Sequence, residues 1–205
     1  MTYMKKPLNK LTRRGFVIAA GATGAIALAV PGVAQAFSTE NARKLIDTVV
    51  KEINTIINSG GSEARMLRSF EGVFGRYADV TRIAQLVLGV DGRSASASQK
   101  SAFARAFQTY MARKYGRRFR EFIGGRIEVQ SARAVKSFYE VKSLAILQGS
   151  RPFDLEWVVA DDTGKFIDLK IEGISLIKTE RAEIGAMLDQ RRGNLDQLIV
   201  DIVKI

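Results

Sequence analysis

The sequence predicts an α+β fold, with helices from both ends of the chain packed on one face of a four-stranded antiparallel meander. Three observations predict it. Apolar residues recur at spacings of three and four from about residue 38 to residue 122. Between residues 127 and 171 they alternate with polar neighbours. Helical spacing then returns over residues 179–203. A spacing of 3.6 marks an amphipathic helix and a spacing of two marks a half-buried strand. A sheet with one apolar face must be covered, so the flanking helices belong on that face.

The first helix is expected over 38–58. Ser38 and Thr39 are candidate caps, Glu40 falls in the first turn, and Leu45, Val49, Ile53, Ile56 and Ile57 share a face. Gly60-Gly61 ends it. A second helix at 62–77 carries Leu67, Phe70, Val73, Phe74 and Tyr77, and Asp79 caps a third that ends at Gly89 and carries Val80, Ile83, Leu86 and Val87. The fourth opens with a capping box, Ser96-x-x-Gln99. Phe103, Phe107, Tyr110, Met111, Tyr115, Phe119 and Phe122 follow on one broad face, interrupted by Gly116.

The strands follow in sequence. Ile127 and Val129 belong to the first, and Tyr139 and Val141, with Ala145 and Leu147, to the second. Phe153, Leu155, Trp157 and Val159 mark the third, and Ile167, Leu169 and Ile171 the fourth. Gln148-Gly149-Ser150 and Asp161-Asp162-Thr163-Gly164 read as turns between them. Closing helices are expected at 179–191 and 194–203, the last with Leu195, Leu198, Ile199 and Ile202.

Residues 1–36 read as an export address rather than as part of the fold. Lys5, Lys6, Lys10, Arg13 and Arg14 precede an uncharged run from Gly15 to Ala36 that ends Val33-Ala34-Gln35-Ala36. A basic n-region, an apolar h-region and an A-x-A site make a signal peptide, with cleavage expected after Ala36. The Arg13-Arg14 pair with Phe16 resembles a twin-arginine signal. Pro31 and the small residues argue against a permanent membrane anchor. One domain, 37–205, remains.

The chain has no cysteine and no histidine. That excludes disulfides, thiolate nucleophiles, Ser/His and Cys/His catalysis, and the usual zinc sites. Net charge is +11 for the chain and +6 without the leader's five bases. A mildly basic surface suits an anionic partner and also favours solubility. Asp154, Glu156, Asp168 and Glu172 are the obvious acid/base candidates, but they alternate with the apolar strand residues and so face water. No catalytic residues, cofactor or metal ligands are assigned, and no nucleic-acid motif occurs.

Two readings of the apolar faces stay open on periodicity alone. Helices and sheet can close into a plain core, giving a solid adaptor, or splay around a cavity. The cluster Arg113-Lys114-Arg117-Arg118-Arg120 likewise reads either as a docking site for anionic headgroups or acidic surfaces, or as a solvated helix end whose cations suit the dipole.

Three stretches carry a family resemblance: Ala78 to Gly89, ending Leu86-Val87-Leu88-Gly89; Ser96 to Phe107, continuing to Tyr110 and Tyr115-Gly116; and Ile167-Asp168-Leu169-Lys170-Ile171-Glu172-Gly173-Ile174-Ser175-Leu176-Ile177, running into Thr179-Glu180-Arg181. Together, in order and spacing, they resemble the MlaC (toluene-tolerance) family. The loop Gly89–Ala95 departs from it in lacking aromatics. The resemblance implies a periplasmic carrier with an apolar lipid cavity between helices and sheet, its phosphate headgroup outside near Lys or Arg. It implies shuttling of phospholipid between an outer-membrane lipoprotein complex and an inner-membrane ABC transporter with a membrane-anchored substrate-binding subunit, which maintains outer-membrane lipid asymmetry. Related proteins point to hopanoid as another cargo. By that reading the lipid-binding residues are Val73, Phe74, Ile83, Val87, Phe107, Tyr110 and Met111 from the helices. Tyr139, Val141, Leu155, Trp157, Leu169 and Ile171 complete the set from the sheet.

Overall fold

The computed structural model describes residues 37–205, apart from the side chains of Phe119 and Arg120. The leader expected over 1–36 and its cleavage after Ala36 lie outside the described residues.

Helix α1 (Thr39–Ile57) starts where Ser38 turns its hydroxyl to accept from Asn41 N at 3.2 Å. Its buried stripe is Ala42, Ile46, Val49, Val50, Ile53 and Ile57, with Leu45 and Ile56 partly buried beside it. Helix α2 (Glu63–Tyr77) follows, then α3 (Val80–Leu88), capped by Asp79 accepting from Arg82 N at 3.1 Å. Helix α4 (Ala97–Gly116) opens with the reciprocal capping box of Ser96 and Gln99. It stops sooner than expected. After the buried Gly116 the chain tightens into a 3-10 segment, Arg117–Phe122. That winding advances each residue further round the axis than an α-helix does, so the helical spacing of α4 does not carry on through it.

The sheet has five strands in the order β1-β2-β3-β4-β5, all antiparallel: β1 (Arg126–Val135), β2 (Phe138–Ile146), β3 (Phe153–Ala160), β4 (Phe166–Ile171) and β5 (Ile174–Ser175). The expected four are present and the fifth corrects the count. Glu172 and Gly173 both take positive φ, 50° and 79°, which reverses the chain in two residues and pairs Ile174 with Ile171. Two residues are too few for an alternation to register. Ser175 then accepts from Lys178 N at 3.2 Å, so α5 (Leu176–Gln190) begins ahead of the expected residue 179. Asn194 caps α6 (Leu195–Ile202).

Register places Val129 against Ser143, Ser143 against Leu155, and Leu155 against Ile171, and likewise Val141, Trp157 and Leu169 in a row. These residues form the covered face. On the other face Glu140, Glu156 and Lys170 make a ladder of ion pairs, extended by Arg133 to Glu140. Helix α1 packs over β1 and β2, while α3 and α5 pack against β4. Helix α4 packs against α2, α3 and α6. Among the described residues no helix is long and apolar enough to cross a membrane.

Candidate functional site

Between the helices and the covered face of the sheet lies a pocket of about 400 Å³. That is within the ~300–1,000 Å³ of ordinary ligand sites. Its helical wall is built from Val49, Ile53, Phe70, Val73, Phe74, Ile83, Val87, Phe107, Met111 and Tyr115. Its sheet wall carries Ile127, Phe153, Leu155, Trp157, Phe166, Ile167, Leu169 and Ile171, and Leu176 and Ile177 at the start of α5 close one side. Arg118, Glu121 and Ser150 line it while exposed to solvent, so they mark its mouth. Phe122 and Phe153 meet edge to face there, with ring centroids 6.4 Å apart.

Local chemistry explains how these side chains are held. Trp157 reaches the pocket with its indole N–H donated to Ser143 Oγ at 3.1 Å, both groups buried. Its ring meets Phe166 edge to face at 5.3 Å. The pair supplies a large apolar surface with its polar atom satisfied. Asp168 also lines the pocket and acts as a staple: Oδ1 accepts from Leu169 N at 2.9 Å and Ile177 N at 3.2 Å, and Oδ2 accepts from Ser175 Oγ at 2.6 Å. It thereby fixes the β4–β5–α5 junction. The other proposed acid/base candidates, Asp154, Glu156 and Glu172, are absent from the pocket lining. Asp154 and Glu172 are exposed, and Glu156 pairs with Lys170.

The polar part of the wall was not anticipated from sequence. Glu180, on α5, is buried and lines the pocket. Its Oε1 accepts from Lys114 Nζ at 2.7 Å and from the Tyr115 hydroxyl. Lys114 also donates to Glu183 Oε2 at 2.5 Å, which accepts from the Tyr110 hydroxyl at 3.2 Å. These bonds clamp α4 to α5. Burial, reinforced by the neighbouring Glu180 and Glu183, pushes the Tyr110 and Tyr115 phenols well above the usual range. Burial draws the Lys114 ammonium down, but its bonds to Glu180 and Glu183 outweigh that and leave its pKa raised. A carboxylate one turn after Leu176 and Ile177 carries no periodic signal, so only its pairing with Lys114 across helices gives it away.

Of the residues expected to line a cavity, Val73, Phe74, Ile83, Val87, Phe107, Met111, Leu155, Trp157, Leu169 and Ile171 do line the pocket. Tyr110, Tyr139 and Val141 are placed elsewhere. Tyr110 is buried with its hydroxyl turned to Glu183. Tyr139 donates to the Phe37 carbonyl at 2.5 Å and packs edge to face on its ring, which anchors the start of the domain. Val141 is fully buried, paired across the sheet with Ala132 and Trp157, and does not line the pocket. The basic cluster is also divided. Arg113 donates to the Val203 carbonyl beyond α6, Lys114 joins the clamp, and Arg117 and Arg118 are exposed. Arg120 lies outside the described side chains.

Comparison with known proteins places these observations in a family. In fold the chain is similar to the phospholipid-binding protein from Ralstonia solanacearum, solved in complex with a phospholipid. The TM-score is 0.66 at 19% identity, over 78% of this chain and 98% of that one. The model of the MlaC protein family matches residues 43–204. The chain belongs to the MlaC family.

Proposed function

We propose that this protein is a non-enzymatic periplasmic carrier that holds phospholipid acyl chains in the pocket between helices and sheet. It passes lipid between an outer-membrane lipoprotein complex and the membrane-anchored substrate-binding subunit of an inner-membrane ABC transporter, and so maintains outer-membrane lipid asymmetry. The leader over 1–36 exports it, and cleavage after Ala36 releases 37–205 as a single lipid-binding domain. The observation that carries this reading is the pocket itself: apolar on both walls, polar only at Glu180, at the Asp168 staple and at the exposed mouth. A solid adaptor would have no use for such a space. The phospholipid held by the Ralstonia relative supports the same class of cargo.

The physics favours a carrier. Two acyl chains of about 30 methylenes cost roughly 25 kcal/mol to expose to water, at ~0.8 kcal/mol each. Lipid therefore does not cross an aqueous compartment unaided at useful rates. A carrier need only replace neighbouring tails with side chains such as Phe107, Leu155 and Trp157. Binding is then near balance with the bilayer, which permits both loading and release. The headgroup is accommodated at the mouth, where Arg118 offers a cation for phosphate.

The test is transfer of a fluorescent phospholipid from donor to acceptor vesicles. The wild-type protein accelerates it in proportion to its concentration. Leu169→Arg, which sets a charge in a half-buried position of the sheet wall, abolishes the acceleration with the fold retained by circular dichroism. No acceleration by wild-type protein would contradict the reading.

A further inference from the structure

The carrier reading, on which this inference rests, leaves one group in the pocket wall without a use. Glu180 is 1% exposed, and its Oε2 is buried with no hydrogen-bond partner among the described residues. The clamp between α4 and α5 is complete without that oxygen. Lys114 and Tyr115 bond to Oε1, while Lys114 and Tyr110 bond to Glu183. A carboxylate offers about four acceptor positions, and a buried acceptor left unfilled carries its full desolvation cost. Two carboxylates also face one ammonium, so the wall is short of donors rather than of acceptors.

The position of Glu180 narrows what could fill it. Its partner Tyr115 lies three residues before Arg118, which lines the exposed mouth, and Leu176 and Ile177 of the apolar wall lie one turn before it on α5. Through Tyr115, Glu180 is linked to the stretch of chain that runs on to the mouth, where an acyl chain would join its polar end. Lys114 already supplies an ammonium to both carboxylates. What Oε2 lacks is one hydrogen-bond donor, and a neutral hydroxyl supplies it without a second ion having to be stripped of water.

We propose that Glu180 Oε2 accepts a hydrogen bond from a lipid hydroxyl. The pocket thus prefers a phospholipid with a free hydroxyl at the junction of chain and headgroup, such as a monoacyl glycerophospholipid, over the same lipid without it. A hydroxylated acyl chain presents the same chemistry, and the two sources are separable.

The experiment uses phosphocholine lipids, whose headgroup has no hydrogen-bond donor, and protein purified from the cell envelope. Affinity is read by displacement of a fluorescent lipid. One pair is 1-palmitoyl-lysophosphatidylcholine and its analogue lacking the glycerol hydroxyl. The other is a diacyl phosphatidylcholine with a hydroxylated chain and its unhydroxylated parent. A hydrogen bond to a charged acceptor predicts about a tenfold or greater preference for the hydroxyl-bearing member. A preference in the first pair assigns the hydroxyl to glycerol, and in the second to the chain. Glu180→Leu brings the ratio to about one; the ratio is taken within each pair, so any loss of affinity from breaking the clamp falls on both members and cancels. Glu180→Gln, which retains an acceptor and the clamp geometry, keeps an intermediate ratio. Equal affinities within both pairs for the wild-type protein overturn this inference and leave the carrier reading standing. Binding of none of the four lipids overturns the carrier reading and this inference with it.

Discussion

Ser143 shows how much a single side chain decides in this fold. It occupies an inward position of β2 at 1% exposure, where the alternation calls for an apolar residue, and it accepts the Trp157 indole N–H. Removing the hydroxyl strands a buried donor at a cost of about 1–3 kcal/mol. Ser143→Ala is therefore expected to lower the melting temperature by roughly 2–12 °C, at ~2–4 °C per kcal/mol for a domain of this size. Ser143→Thr, which keeps an acceptor, should lose less. The apolar residues of the wall were legible because alternation needs only a repeat of two. Tyr110 and Tyr139 fall outside the pocket lining for a related reason: periodicity assigns a face to a side chain but says nothing of where its hydroxyl must go. Asp201 makes a pH prediction. Hydrogen bonds from Gln197, then Lys204 and Arg191, hold its carboxyl down at about 2. A depressed folded-state pKa adds stability above the unfolded value near ~3.9 and loses it as pH falls through the folded value. The melting temperature should fall between about pH 4 and pH 2, and Asp201→Asn should flatten that slope.

Elements are where the sequence pattern and the structure part most usefully. The first strand appears in the sequence as Ile127 and Val129 and then falls silent. A bulge between Val129 and Ser131 shifts the register, so the covered face resumes with the opposite parity at Ala132, half-buried opposite Val141. The exposed edge of that strand is closed by side chains rather than by another strand. Asn54 of α1 donates to the Ile127 carbonyl at 3.0 Å and accepts from its N–H at 2.9 Å. One turn on, Asn58 accepts from Gly124 N at 3.2 Å and donates to the Gly125 carbonyl at 3.4 Å, and Arg43 donates to the Gln130 carbonyl at 2.9 Å. Unpaired edges invite association with other chains, and here the helix masks this one. Asn54→Leu removes both bonds to Ile127, with an expected loss of about 1–3 kcal/mol in denaturant unfolding and a rise in light scattering on heating. Gly89 makes a second prediction. It ends α3 at φ 59° and ψ −123°, a region essentially closed to residues with a Cβ. An added Cβ would also sit 2.5 Å from the Arg181 guanidinium. Gly89→Ala should destabilise by about 1–3 kcal/mol, and the loss should persist in an Arg181→Ala background because the backbone term dominates.

At the scale of the whole molecule, the order of helices, meander and helices was readable because each layer has its own period. Coverage of the sheet then followed from its single apolar face. Whether the layers close or splay is set by differences of a few ångströms in how helices sit on a sheet, which no periodicity encodes. In the structure α1 lies over β1 and β2, while α4 packs on its neighbouring helices. The pocket lies between the helices and the covered face of the sheet, lined by α1 to α5 and by β1, β3 and β4. Family membership joins this arrangement to lipid, and the claim at the centre of the account is that the pocket holds lipid in the cell. Native mass spectrometry of protein purified from cell envelope, with lipid extraction of the same sample, tests it most directly. The account predicts a discrete adduct of phospholipid mass, recovered on extraction, absent from Leu169→Arg and retained in Tyr110→Phe, whose side chain lies outside the pocket lining. A bare protein mass, with no uptake of lipid from vesicles either, would contradict it.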